Sequence, residues 1–275
     1  MKITVLSENT VPVSFGLTGE HGLSFCIENQ GKTFLFDTGQ TGIAVSNAKK
    51  LGIDLKKTEA VVLSHGHYDH ADGLEAVLKE IGHPVKIIAH PSVFDAKYIV
   101  SANSKRYIGM KLRKEFIEGF LKASFEFHKS FTEIFPGVYM TGEVPFTNPY
   151  EKIPDALQVE KNGKLEKDFF EDDNSLILES GKGLIVLLGC AHRGIINILS
   201  SVKEKLNQPI HAVIGGAHLH DTGNEQFDFV KNYLKKEKIA LLAPSHCTGI
   251  PKIFELQKDL HEKVQPAFCG SVFEF

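Results

Sequence analysis

Within six positions the chain carries His65, His67, Asp69 and His70, in the stretch TEAVVLSHGHYDHADGL at residues 58–74. Three imidazoles and a carboxylate at that spacing are metal-ligand chemistry. Nitrogen and oxygen donors together suit zinc, iron or manganese better than calcium or magnesium. In extended backbone His65 and His67 point to one side, so one short loop can hand two nitrogens to one ion. Asp69 and His70 follow at once and can face a second ion beside the first. The competing explanation is a polar loop that happens to be rich in histidine. Three His and one Asp at this spacing, straight after an apolar run, make that chance clustering improbable.

The flanking residues show what must position these ligands. Ala60-Val61-Val62-Leu63 reads as a buried strand. Leu74, Val77, Leu78 and Ile81 fall at i, i+3, i+4 and i+7, a helix. The ligands therefore sit on a strand-to-helix loop. The same order recurs in the second half. Residues 184–188 lead into Gly189-Cys190-Ala191-His192-Arg193-Gly194, then a helix through Ile195, Ile198, Leu199 and Val202. Residues 212–214 lead into Gly215-Gly216-Ala217-His218-Leu219-His220. Residues 239–243 lead into Pro244-Ser245-His246-Cys247-Thr248-Gly249, then a helix through Ile253, Leu256 and Leu260. This echo supports a sandwich of two ββα-like halves. His192 is expected to be a third imidazole for the metal. His218 can reach substrate or metal, and His220 does not share its direction. Cys190 is a thiolate ligand or a small buried hydrophobe. His90, alone at the end of a strand over 85–89, reads as structural.

The HxHxDH loop resembles the metal signature of the metallo-β-lactamase superfamily. The resemblance implies an α/β fold: an αββα sandwich of two mixed β-sheets flanked by helices, holding one or two divalent metals. Zinc is expected, with manganese, iron or magnesium as alternatives. It implies His65 and His67 on one metal site, Asp69 and His70 on the other, and His246 as the last histidine ligand. It makes Asp37, in the turn Phe36-Asp37-Thr38-Gly39, a carboxylate that orients a ligand histidine. The plainer role is a turn Asp bonding its own backbone. Where superfamily members often carry a metal-bridging Asp, this chain has Gly189-Cys190.

Thr141-Gly142-Glu143, Gly189-Cys190-Ala191-His192, Gly215-Gly216-Ala217-His218-Leu219 and His246-Cys247-Thr248-Gly249 together look like one branch of the superfamily. That branch contains the archaeal 7,8-dihydropterin-6-methyl-4-(β-D-ribofuranosyl)aminobenzene 5′-phosphate synthase. It implies alkyl transfer, in which an arylamine displaces diphosphate from a dihydropterin methyl carbon. Arg193 is then a candidate phosphate partner and His218 a substrate contact. Helix N-termini after Gly194 or Gly249 would offer N–H donors to an anion. Branch members often have a basic residue where this chain has Phe146, which puts the substrate in question. The alternative is a hydrolase of a phosphoester, lactone or thioester, with Asp69 as ligand and proton acceptor. A third possibility is a non-catalytic protein that binds metal and ligand.

The whole chain bounds these readings. Its 275 residues suffice for one large domain over 1–275. Residues 92–135 read as an aromatic-rich insertion with a helix over 111–124, whose apolar stripe at Leu112, Phe116, Ile117, Phe120 and Leu121 is expected to pack on the core. Lys105, Arg106, Lys111, Arg113 and Lys114 form a basic run that solvated charge explains best. A net charge of −3 gives no basic field to recruit nucleic acid. Cys26, Cys190, Cys247 and Cys269 are scattered, without the spacing of a disulfide framework. No apolar run approaches the roughly 20 residues of a membrane span, and nothing resembles a signal peptide. A cytoplasmic protein acting on a small phosphorylated, aromatic molecule is expected, with a homo-oligomer possible.

Overall fold

The computed structural model describes residues 1–13 and 16–275. Lys2–Ser7 (β1), Ser24–Asn29 (β2) and Lys32–Phe36 (β3) open the chain as an antiparallel run. Ile43–Lys50 (α1) ends where Gly52 takes φ +71°, while Leu51 N and Ile53 N close back on Asn47 O and Ala48 O. Thr58–Val62 (β4) follows, then Tyr68–Ala71 (α2), Leu74–Ile81 (α3) and Lys86–Ala89 (β5). Next come Ala96–Ser101 (β6), Ser104–Tyr107 (β7), Lys114–Gly119 (α4) and Ser124–Phe127 (β8). Thr132–Phe135 (β9), Val138–Met140 (β10), Leu157–Lys161 (β11) and Lys164–Lys167 (β12) lead to Ser175–Ser180 (β13) and Gly183–Leu188 (β14). Ile195–Leu206 (α5), Ile210–Gly216 (β15), Asn224–Lys236 (α6), Leu241–Ser245 (β16), Ile250–Leu260 (α7) and Val272–Glu274 (β17) complete it.

The chain divides into two compact units. The first comprises Met1–Lys129, Ile153–Asp172 and Phe268–Glu274. Among the described residues it holds a seven-stranded sheet, β17-β1-β2-β3-β4-β5-β8, and a four-stranded sheet, β12-β11-β6-β7. β3, β4, β5 and β8 are parallel neighbours. A strand inside a helix-covered parallel stretch is buried on both faces, which is why 60–63 is an unbroken apolar run. α3 turns Leu74, Val77, Leu78 and Ile81 into the same core as Val61 and Leu63. Each such side chain contributes about 1.5–3 kcal/mol when fully buried.

The second unit comprises Ser130–Lys152, Asp173–Ala267 and Phe275. Its six-stranded sheet runs β16-β15-β14-β13-β10-β9. β14, β15 and β16 are parallel, with α5 and α6 as the crossovers. Parallel pairing places the carboxyl ends of these three strands on one edge of the sheet, where α/β proteins hold their ligands. Val186, Leu188, Ile198, Leu199, Val202 and Val213 pack in its core. Among the described residues no helix is long and apolar enough to cross a membrane.

One expectation changes. The helix anticipated over residues 111–124 is confined to Lys114–Gly119. Lys122 adopts φ +56°, which no helix continues through, and residues 124–127 instead pair in parallel with β5. Within residues 92–135 strand therefore outweighs helix, with β6, β7, β8 and β9 against α4. Ile117 and part of Leu112 and Leu121 reach the core, whereas Phe116 and Phe120 stack on each other at the surface. The final strand, Val272–Glu274, follows a turn in which Ser271 N bonds Phe268 O and Gly270 takes φ +81°. Asn162 and Gly163 both have positive φ in the Asn-Gly turn between β11 and β12.

Candidate functional site

In the first unit, Asp37, His65 and His90 all follow the carboxyl ends of adjacent parallel strands, β3, β4 and β5. Asp37 is fully buried. Its carboxylate accepts from Ser64 N at 2.7 Å, from Ser64 Oγ at 2.7 Å and from His70 Nδ1 at 2.7 Å. A carboxylate only accepts, so His70 carries its proton on Nδ1 and presents the Nε2 lone pair. Ser64 Oγ, having donated to Asp37, accepts from His65 Nδ1 at 2.8 Å. The same tautomer is thereby set on His65. Asp37 is thus more than a turn residue: one buried carboxylate orients two imidazoles.

His65, His67, Asp69 and His70 are all buried. The His65 ring lies 4.6 Å from that of His67 and 4.3 Å from that of His70, and His70 Nε2 is 3.8 Å from Asp69 Oδ2. Burial, reinforced by the neighbouring His70 and His67 rings, holds the His65 imidazole well below its ordinary pKa. Neutral imidazole is the form that binds metal. The loop is also sterically defined: a Cβ on Gly66 would stand 2.0 Å from Val93 O, so the residue between the two histidines must be glycine. By donor type, by the tautomers of His65 and His70, and by the neutral state of His65, this cluster fits a divalent ion. His90 instead accepts from Ser92 N at 3.1 Å and caps a short turn, as expected of a structural residue.

In the second unit, His192, His218 and His246 stand just past β14, β15 and β16, on the shared edge. Ala191 (φ +54°), His218 (φ +46°) and His246 (φ +49°) all hold left-handed backbone. Such residues cost of order 1–3 kcal/mol each and cluster at functional sites. Cys190 Sγ is within 4.8 Å of a ring nitrogen of His192 and of one of His246. The His192 and His218 rings are 4.4 Å apart. Burial, with His220 and His246 nearby, lowers the His218 pKa to about 4. His220 turns to Cys247 O and Asp221.

Arg193 lies with its guanidinium 4.2 Å over the Phe146 ring, bonded to Val144 O, and its amide donates to Asp173 at 2.9 Å. Phe146, the departure from the branch pattern, therefore braces the arginine. The helix N-terminus after Gly194 is not open to a substrate anion. Buried Glu151 already accepts from Ile196 N at 2.8 Å and Asn197 N at 3.0 Å. The basic run is paired at the surface, with Lys111 on Asp72, Lys105 on Glu160 and Lys114 on Glu118.

Sequence reasoning missed Ser64, Glu151 and His21. His21 Nε2 reaches Asp69 Oδ2 at 3.1 Å. Its one local signal is Gly22, where a Cβ would meet Asp69 O at 2.7 Å. Ser64 had the clearest signal, a lone hydroxyl between an apolar strand and the first histidine.

Mixed sheets, helical crossovers and a buried His-rich loop at a strand end define an α/β protein suited to binding metal. The chain belongs to the metallo-beta-lactamase superfamily, whose family model matches residues 17–193. It is 31% identical to the 7,8-dihydropterin-6-methyl-4-(beta-D-ribofuranosyl)-aminobenzene-5′-phosphate synthase of Methanocaldococcus jannaschii, over 100% of this chain and 97% of the relative. It is 35% identical to an uncharacterised protein of the same organism, over 93% of this chain and 94% of that one. Among solved structures it resembles Tm1679, a metal-dependent hydrolase of the beta-lactamase superfamily. The identity there is 31% and the TM-score 0.85, covering 100% of this chain and 99% of the other. Superfamily and enzyme-named relative together support an enzyme that uses a divalent metal.

Proposed function

We propose that this protein is a metal-dependent transferase joining a dihydropterin methyl carbon to an arylamine nitrogen with release of diphosphate. The observation that carries this reading is the full-length 31% identity to the synthase of M. jannaschii. His65, His67, Asp69, His70, His192 and His246 are the proposed metal ligands, with zinc the first choice of ion. A bound divalent metal would supply Lewis acidity toward the departing diphosphate. The chain's own residues do the rest. Asp37 and Ser64 keep His65 and His70 oriented. Asp69 takes the proton that the amine nitrogen loses as the C–N bond forms. Arg193, braced by Val144 O and Phe146, presents its fork to a phosphate, and His218, neutral at pH 7, contacts the substrate.

A hydrolase is the second reading, favoured by the likeness to Tm1679. Its nucleophile would be water, with Asp69 again the proton acceptor. Incubation with a pterin diphosphate, with and without an arylamine, separates the two. Diphosphate release that requires both compounds supports the transferase. Release with water alone, at the same rate whether or not amine is present, overturns it.

A further inference from the structure

We infer that Lys97, Asp168 and Asp172, none of them in the metal loop, form a buried clamp that positions His65 and His67 for the metal. The inference rests on the metal reading of that loop. Lys97 on β6 is 1% exposed, a rare state for lysine unless paired. Its Nζ lies 2.7 Å from Asp168 Oδ2 and 2.9 Å from Asp172 Oδ1. The second oxygen of Asp172 accepts from Gly66 N at 2.8 Å. That amide is the one between the two histidines. The carboxylate thus ties the ligand loop to a cation anchored in the four-stranded sheet.

Phe170 completes the clamp. Its amide donates to Asp168 Oδ1 at 2.7 Å, its ring lies 4.8 Å from Lys97 Nζ, and its edge meets the His67 ring perpendicularly at 5.3 Å. On the other flank, Met110 N donates to Gly66 O at 2.7 Å, and Ile108 N donates to Lys97 O at 2.9 Å. Gly66 is therefore held at both its N–H and its C=O, and Val93 O closes the third side. A loop so constrained is ordered before an ion arrives, and pre-organisation lowers the entropy lost on binding. A buried ion pair is weak evidence for stability in itself. Here its second oxygen does something a hydrophobic replacement could not, which is to accept the Gly66 amide.

The test measures zinc affinity by competition with a chromophoric chelator, on the full chain. Asp172→Ala removes the acceptor, and Asp172→Asn keeps a carbonyl oxygen for Gly66 N. The expected result is at least tenfold weaker zinc binding in the alanine variant and a smaller, several-fold loss in the asparagine variant, whose NH2 group then faces Lys97 Nζ while Lys97 keeps Asp168. Leu234→Ala, a cavity in the core of the second unit on α6, is the control for general destabilisation. It should lower the melting temperature without weakening zinc. Should Asp172→Ala fail to fold, Phe170→Leu gives the second measurement, with several-fold weaker zinc expected. Folded Asp172→Ala or Phe170→Leu with wild-type affinity overturns the clamp, as does equal weakening by Leu234→Ala. A wild-type protein that takes up no zinc, manganese or iron would instead sink the metal reading on which the clamp rests.

Discussion

Asp37→Asn is the most incisive perturbation of the first unit's ligand cluster. The side chain keeps its shape, and Oδ1 can still accept from Ser64 N. The other position now carries an N–H where the carboxylate accepted from Ser64 Oγ and His70 Nδ1, each at 2.7 Å. To avoid facing donor with donor, His70 must move its proton to Nε2. Ser64 must turn its own proton toward His65 Nδ1, 2.8 Å away, and so flips that ring as well. Two lone pairs are withdrawn at once. The alternative, keeping the tautomers and leaving a buried donor unmet, costs about 1–3 kcal/mol. Losing an outer partner of one ligand typically weakens metal binding about 10–100-fold. With two imidazoles affected, the expectation is the upper end, about 100-fold or roughly 2.7 kcal/mol. Zinc titration against a chromophoric competitor reads this directly, with circular dichroism to show that the variant is folded. A folded Asp37→Asn variant within threefold of wild-type affinity would refute the tautomer reasoning.

His67→Ala is expected to remove most bound metal, and full retention by elemental analysis would count against His67 as a ligand. Cys190→Ser tests the thiol that stands near His192 and His246. In cobalt-substituted protein a sulfur-to-metal charge-transfer band should vanish in the variant, and a spectrum unchanged from wild type assigns Cys190 to packing. For pH, His218 has its folded pKa lowered to about 4 from an ordinary 6.5. The unfolded state therefore binds the extra proton first. Its contribution to the stability of the metal-free protein is complete above about pH 6.5 and is lost as pH falls toward about 4, by up to about 3 kcal/mol. Urea unfolding between pH 7 and 4 checks the sign, and His218→Gln should flatten the slope.

Local pattern determined a good deal. The i, i+3, i+4, i+7 spacing of Leu74, Val77, Leu78 and Ile81 is satisfied by one helix, and the run 60–63 belongs where both faces are covered. The histidines of residues 65–70 follow that run because the loop is short and Gly66 admits no side chain. The same periodicity misled at 111–124. There the stripe was genuine, but the backbone at Lys122 and the vacant edge of β5 decided for a strand. Tertiary structure alone decided which groups hold the candidate ligands. Asp37 meets Ser64 across 27 positions and His70 across 33, Glu151 meets Ile196 across 45, and Asp172 meets Gly66 across 106. Such partners share no period with the groups they serve. Only the order of parallel strands and the course of the chain between them brings a distant carboxylate to a particular amide or imidazole. The His-rich loops were therefore legible in the sequence, whereas the groups that hold their side chains became visible only in the fold.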